Sequence, residues 1–293
     1  MLRRELLGGS VIAALGLLIA LPGQAGTITK RTFPSETLGR DYAYTIYLPD
    51  GYETSGLSYP VLYLLHGAGG DENEWPVKGQ VQPTADALIA EGRMPPALIV
   101  MPGHTQAWWV DGNAENAETA FIEEVIPHIE ANFRAIPDRS GRVVAGLSAG
   151  GYGTVNFVLE HPGLFAAGAA LSPAVYVPVP PEHSSGRRHP PFQKDGAFDP
   201  ASWERLNYPQ HIDAYKAQDL KVPLYINSGD HDTFDIAYHA AVLYQAFREH
   251  QPELVEYRVI DGDHEWPVWV ATLGDAMAYV FQYTSRPVGM VKP

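Results

Sequence analysis

The 293-residue chain contains no cysteine. That excludes a disulfide framework, a cysteine nucleophile, a thiolate metal site and an N-terminal lipid anchor carried on a thiol. Positive charge is also scarce: 20 Lys and Arg stand against 34 Asp and Glu, for a formal net charge of −14. An acidic surface repels phosphate backbones and anionic lipid, so neither nucleic acid nor a membrane surface is an expected partner. Internal repeats and low-complexity tracts are absent. What the chain does have is 45% hydrophobic and 18% charged residues, enough apolar material for one large core and too little charge for disorder. The length suits a single α/β domain, and a chain this long needs no disulfide staples even if it is exported.

The one long apolar run is N-terminal. Arg3 and Arg4 precede the stretch Val11–Leu21, and Gly23-Gln24-Ala25 places small residues where a signal peptidase cuts. Residues 1–25 therefore read as a signal peptide, since the run is short for a span of about 20 residues. Arg3-Arg4-Glu5-Leu6-Leu7 loosely fits a twin-arginine signal, which leaves the export route open. The expectation is a periplasmic or secreted domain over residues 26–293, free of the membrane after cleavage.

Along the mature chain, apolar or β-branched runs predict strands at Tyr42–Leu48, Val61–Leu65, Ala97–Met101, Arg142–Leu147, Val222–Asn227 and Leu254–Ile260. Several are continuously apolar, as strands covered on both faces are. Helical spacing predicts helices over Glu118–Phe133, Gly150–Leu159, Ile236–Phe247 and Val268–Phe281. Strands alternating with helices give an α/β fold, a mostly parallel central sheet with helices on both faces. Ligands in such folds bind beyond the C-terminal ends of the strands. Residues 173–220 break the rhythm and are rich in proline. They read as an excursion over the rim of the site, or as a surface insertion with no part in binding.

Gly146-Leu147-Ser148-Ala149-Gly150 matches G-x-S-x-G between a predicted strand and a predicted helix, the context of a nucleophile elbow. The turn is so tight that its flanking positions must lack side chains. A serine hydroxyl needs a base, and in this context an acid and then a histidine follow along the chain. His264, just after the last predicted strand, sits at the right end of the sheet. His161, His231, His239 and His250 read better as surface or helix-end residues. Asp230 and Asp232 both follow the strand before His264, and spacing does not separate them. Nor does it exclude a divalent metal among Asp230, His231, Asp232 and Asp263, although the elbow already accounts for these loops. Two backbone donors are needed for an oxyanion: Ala149 after the serine, and Ala68 in the glycine-rich loop Leu65–Gly70.

These motifs resemble the esterase-D-type branch of the α/β-hydrolases, which includes feruloyl and acetyl-xylan esterases, S-formylglutathione hydrolases, enterochelin-type esterases and mycolyltransferases. The resemblance covers roughly residues 32–283. It rests on His66-Gly67 leading through Asp71 to Trp75, on Trp109-Val110-Asp111-Gly112, on Ile126–Glu130 with Asp138-Arg139 before the elbow, and on Gly196–Pro200 with Trp203. It implies the α/β-hydrolase fold and a Ser148–Asp232–His264 triad, because the branch's G-x-x-D falls on Gly229–Asp232. Where the branch often has Met after the serine, this chain has Ala149, which leaves the amide donor in place and changes the pocket wall. The implied activity is a carboxylic ester hydrolase working through an acyl-enzyme, with no metal and no organic cofactor. His66, Trp75, Trp108, Trp109 and Tyr152 are the candidate substrate-binding residues, with Trp108 and Trp109 equally readable as packing. An aromatic mouth suits a small-molecule or polysaccharide-linked ester of the feruloyl or acetyl type. A sugar acyltransferase of the mycolyltransferase type and a siderophore esterase share the same triad. A binding protein on a dead scaffold is disfavoured by the complete set of catalytic residue types, and a formylglutathione hydrolase by the expected export.

Overall fold

The computed structural model describes residues 25–103 and 108–290. The signal-peptide expectation, except for Ala25, lies outside the described residues. Eight strands form the main sheet: β1 Thr27–Ser35, β2 Arg40–Leu48, β3 Val61–Leu65, β4 Leu98–Gly103, β5 Arg142–Leu147, β6 Ala167–Leu171, β7 Leu224–Gly229 and β8 Val255–Ile260. Their spatial order is β1-β2-β4-β3-β5-β6-β7-β8. β2 runs antiparallel to both neighbours, and the remaining pairs are parallel. Register carries a functional consequence. Leu65 pairs with Gly146, so the turn after β3 and the turn after β5 leave the sheet side by side.

Both faces of the sheet are covered. The helices that matter here are α1 Val81–Ala90, α2 Ile126–Asn132, α3 Ala149–Glu160, α4 Pro200–Leu206, α5 Ile212–Lys216, α6 Ile236–Arg248 and α7 Trp266–Val280. Val61, Tyr63 and Leu65 of β3 pack with Ile129 of α2, Val155 of α3 and Leu243 of α6. Leu62 and Leu64, pointing the other way, pack with Val81 of α1 and Leu273 of α7. The period-two alternation of a strand thus divides one apolar run between two core layers. No helix among the described residues is long and apolar enough to cross a membrane.

Three features depart from expectation. β1 was not foreseen: it is an edge strand, mostly exposed, with a proline at position 34, and so lacks an apolar signature. β6 (Ala-Gly-Ala-Ala-Leu) was missed because Ala and Gly are poor strand formers. Their smallness is what the site in the sheet requires, since a Cβ on Gly168 would lie 2.9 Å from Val158 of α3. The helix expected over 118–133 is a composite of Ala117–Ala120, a π-helical turn Phe121–Val125, and α2. Pro127 has no N–H with which to close an α-helical bond back to Glu123.

The segment 173–220 is packed rather than draped. Phe192, Trp203, Tyr208 and Tyr215 are buried. The Leu206 carbonyl accepts from Asn156 Nδ2 of α3 at 2.8 Å and from the Tyr152 hydroxyl. Trp203 Nε1 and Asn207 Nδ2 donate to the Tyr176 carbonyl at 3.1 and 2.8 Å.

Candidate active site

Ser148 stands between β5 and α3 with φ 53° and ψ −113°, a strained conformation for a residue with a side chain. The fold imposes it. A Cβ on Gly146 would come within 2.5 Å of the Gly150 backbone, and one on Gly150 within 2.6 Å of the Leu65 and His66 carbonyl oxygens. Only glycine at both positions lets α3 start this close to β3 and β5. The Ser148 amide donates to the Leu171 carbonyl at 2.9 Å, which ties the elbow to the end of β6.

His264 Nε2 lies 2.8 Å from Ser148 Oγ, and His264 Nδ1 lies 2.8 Å from Asp232 Oδ2. A carboxylate can only accept, so Nδ1 carries the ring proton and Nε2 is left to accept from the serine hydroxyl. The Asp232 side chain is fully shielded from solvent, and its Oδ1 accepts from the Phe234 amide at 3.0 Å. Spacing left Asp230 and Asp232 equivalent; the structure brings only Asp232 to His264. The Asp230 carboxylate turns outward to the Gly262 amide at 3.1 Å and His231 Nδ1 at 2.7 Å. Those contacts, the Gly262 amide first, hold its carboxyl below the usual range.

Asp263 has a third role. Its Oδ1 accepts from the His264 amide at 2.7 Å and from the Thr233 amide at 2.6 Å, and Thr233 Oγ1 donates to it at 2.7 Å. These bonds keep its carboxyl below the ordinary range. The four-residue metal grouping expected as an alternative is therefore not assembled, since Asp232 and Asp263 are committed elsewhere. Asp230, His231 and Asp261 do converge, all exposed, as surface acids often do without an ion. The other candidate bases are also occupied. His161 pairs with Glu118 at 2.7 Å, His239 accepts from the Val177 amide at 3.2 Å, and His250 packs on Tyr215.

The loop after β3 faces the serine. A Cβ on Gly67 would sit 3.5 Å from the Ser148 Cβ. The Gly67 carbonyl accepts from the Gly70 amide at 3.1 Å and lies 2.7 Å from His66 Nδ1. In a trans peptide the next N–H points the opposite way, so Ala68 N–H is directed away from His66. Gly67 and Ala68 both line the cavity that holds Ser148. Ala149 opens α3, where an amide has no intrahelical acceptor, and the N-terminal end of the helix dipole lies behind the serine.

That cavity measures about 340 Å³ and its aromatic walls come from Trp108, Tyr176, Phe234, Trp266 and Trp269, a size suited to a small ligand. Of the five candidate binding residues only Trp108 reaches it. His66, Trp75, Trp109 and Tyr152 are buried behind it. Trp75 Nε1 donates to the Leu65 carbonyl at 3.0 Å and Trp109 Nε1 to the His66 carbonyl at 3.2 Å. These side chains brace the loop after β3, which uses their polar ends and leaves nothing for a ligand. Three of the wall residues missed from sequence have one signal in common. Phe234 follows Asp232 by two positions, and Trp266 and Trp269 follow His264 by two and five. Tyr176, Ser184 and Ser185 come from the excursion, whose place over the rim no spacing could give. A larger hollow of about 610 Å³ beside Tyr44, His128 and Arg134 shares no residue with this site and holds no serine nucleophile.

A family model described as "Putative esterase" matches residues 35–280. An endo-1,4-beta-xylanase/feruloyl esterase of Xylanibacter ruminicola is 34% identical over 213 residues, which is 70% of this chain and 29% of the relative. An esterase of Mycobacterium tuberculosis is 36% identical over 150 residues, 48% of this chain and 31% of the relative. The chain thus spans under a third of the length of these curated relatives. A solved ferulic acid esterase superposes with a TM-score of 0.76 at 28% identity, over 88% of this chain and 99% of that one.

Proposed function

Since the chain belongs to this esterase family and has its α/β-hydrolase fold, we propose that it is a serine carboxylic ester hydrolase acting through an acyl-enzyme on Ser148. The observation that carries this is the unbroken chain Ser148 Oγ–His264 Nε2 and His264 Nδ1–Asp232 Oδ2, 2.8 Å at each link, opening into an aromatic cavity.

His264 takes the hydroxyl proton as Ser148 Oγ bonds to the ester carbonyl carbon. The carbonyl electrons move to oxygen, where the Ala68 and Ala149 amides receive the charge. On collapse the carbon–oxygen bond to the alcohol breaks, and His264 returns the proton to the departing oxygen. Water, deprotonated by the same imidazole, then releases the acid and restores Ser148. Asp232 fixes the ring tautomer and stabilises the imidazolium in both halves. Each step uses side chains and amides of this chain, without a metal or organic cofactor.

The acyl group we assign is an aryl one of the feruloyl type, with acetyl esters as the smaller alternative. Five aromatic side chains around Ser148 support it, as do a relative named endo-1,4-beta-xylanase/feruloyl esterase and a solved structure named ferulic acid esterase. Residues 1–25 support a periplasmic or secreted site of action. The deciding experiment is an ester panel of methyl ferulate, p-nitrophenyl acetate, an acetylated sugar and a siderophore ester. Highest kcat/KM on methyl ferulate is expected. Failure to hydrolyse any of them removes the proposed activity, and a preference for the siderophore ester replaces the substrate class.

A further inference from the structure

Gln82 and Asp86 stand four residues apart on α1, a spacing that puts them on one face. Together they close on both backbone groups of Gly26. Gln82 Nε2 donates to the Gly26 carbonyl at 2.6 Å, and the Gly26 amide donates to Asp86 Oδ1 at 3.0 Å. Gly26 is buried, Ala25 before it is exposed, and β1 starts at the next residue. The fit is close. A Cβ on Gly26 would lie 2.6 Å from Tyr47 Cζ and 2.7 Å from the Leu48 carbonyl oxygen, so glycine alone lets the backbone nitrogen approach Asp86.

A carboxylate is more than an amide requires. Asp86 Oδ1 also accepts from the Tyr47 hydroxyl at 2.7 Å. Burial, and then Asp86 itself, hold that hydroxyl's pKa above the ordinary tyrosine value, so it remains a donor. The charges that act on it are those of Asp86 and Asp50, both negative. Among the described residues no Lys, Arg or His pairs with Asp86. A half-buried carboxylate that faces only neutral donors lacks its cation.

The sequence can supply one. Gly23-Gln24-Ala25 reads as a signal-peptidase site, and a cut after Ala25 makes Gly26 the first residue. Hydrolysis delivers the hydroxyl of water to the Ala25 carbonyl carbon and its hydrogen to the Gly26 nitrogen. The new carboxyl group then passes on its proton, which leaves a carboxylate on Ala25 and an ammonium on Gly26.

We propose that the Ala25–Gly26 bond is the processing site and that Asp86 is the seat of the Gly26 ammonium it releases. The bond to Asp86 becomes charge-assisted, while Gln82 keeps its hold on the carbonyl. Maturation thereby pins the start of the edge strand β1. The inference is independent of ester hydrolysis at Ser148.

The test has two arms. The full chain exported from a bacterial host is expected to begin at Gly26 by N-terminal sequencing. Another first residue, or an uncut chain, overturns the processing site. For the seat, a chain that begins at Gly26 is compared by thermal melting with one that begins at Gln24, each with and without Asp86→Asn. Every described strand and helix lies beyond Gly26, so both chains carry the whole fold; in the longer one the Gly26 nitrogen stays an amide. The chain that begins at Gly26 is expected to melt about 3 °C higher. Asp86→Asn keeps an oxygen acceptor and removes the charge, and should bring that difference close to zero, as expected of a coupled pair. Equal melting of the two wild-type chains overturns the seat without recourse to a variant, as does a difference that Asp86→Asn leaves intact.

Discussion

Asp263 clasps Thr233: one carboxylate oxygen takes both the Thr233 amide and its hydroxyl, at 2.6 and 2.7 Å, while also accepting from the His264 amide at 2.7 Å. Thr233 adjoins Asp232. The two loops that carry Asp232 and His264 are therefore joined by a residue that does not itself line the cavity.

If that clasp sets the alignment, Asp263→Ala should lower kcat by about 10- to 100-fold, the scale of an ångström-level misplacement. Asp263→Asn keeps Oδ1 as an acceptor for all three donors and should recover most of the rate. Steady-state kinetics of both variants on one ester check this. Equal losses in Asn and Ala would show that charge, rather than the hydrogen-bonded clasp, is what matters.

Ser148→Ala should reduce kcat on p-nitrophenyl acetate by about 10⁴- to 10⁶-fold with the fold intact by circular dichroism. Asp232→Asn should cost on the order of 10⁴-fold by disturbing the His264 tautomer. Asp230→Asn should leave the rate within a fewfold of wild type, since its carboxylate faces Gly262 and His231. A reversed ranking of the two aspartates would contradict the geometry.

Gly150→Ala tests the close approach at the elbow. Its Cβ would lie 2.6 Å from two backbone carbonyl oxygens, and backbone does not yield as a flexible side chain would. A loss of about 1–3 kcal/mol is expected, with activity falling further as α3 shifts. Denaturant unfolding measures it, and a wild-type midpoint would show that the elbow has more room than the structure gives it.

Glu160, at the end of α3, has its carboxyl pushed up to about 7, first by burial and next by the Glu118 carboxylate, from an ordinary value of 4.5. His211 Nδ1 faces it at 3.4 Å. The native state keeps this proton to near pH 7 while the unfolded chain releases it near 4.5. Between those values the native state binds more protons, so this group's contribution to stability falls as pH rises. Glu160→Gln removes the effect. Relative to wild type, the variant should gain roughly 1 kcal/mol between pH 5 and pH 8, a figure reduced for partial solvent exposure. Urea titrations at the two pH values decide it; a gain toward low pH would give the wrong sign.

The sequence by itself determined whatever depends on local chain order. β3 and β5 were read to the residue, because strands buried on both faces are unbroken apolar runs. Ser148 was legible because an elbow this tight must write glycine at both flanks. His264 was legible because the fold fixes which strand end it follows. Tertiary structure decided what depends on which direction a side chain faces. Asp230 and Asp232 lie two apart on one loop, and only the fold turns one inward to His264 and the other outward to Gly262. His66, Trp75, Trp109 and Tyr152 have the composition of a binding wall, yet their polar ends are spent on backbone carbonyls or neighbouring loops. The wall itself is assembled from Trp108, the excursion, the residues following Asp232 and His264, and Gly67, Ala68, Glu74 and Lys78 after β3. Contacts between segments far apart in sequence are set by packing in three dimensions, and no periodicity along the chain records them.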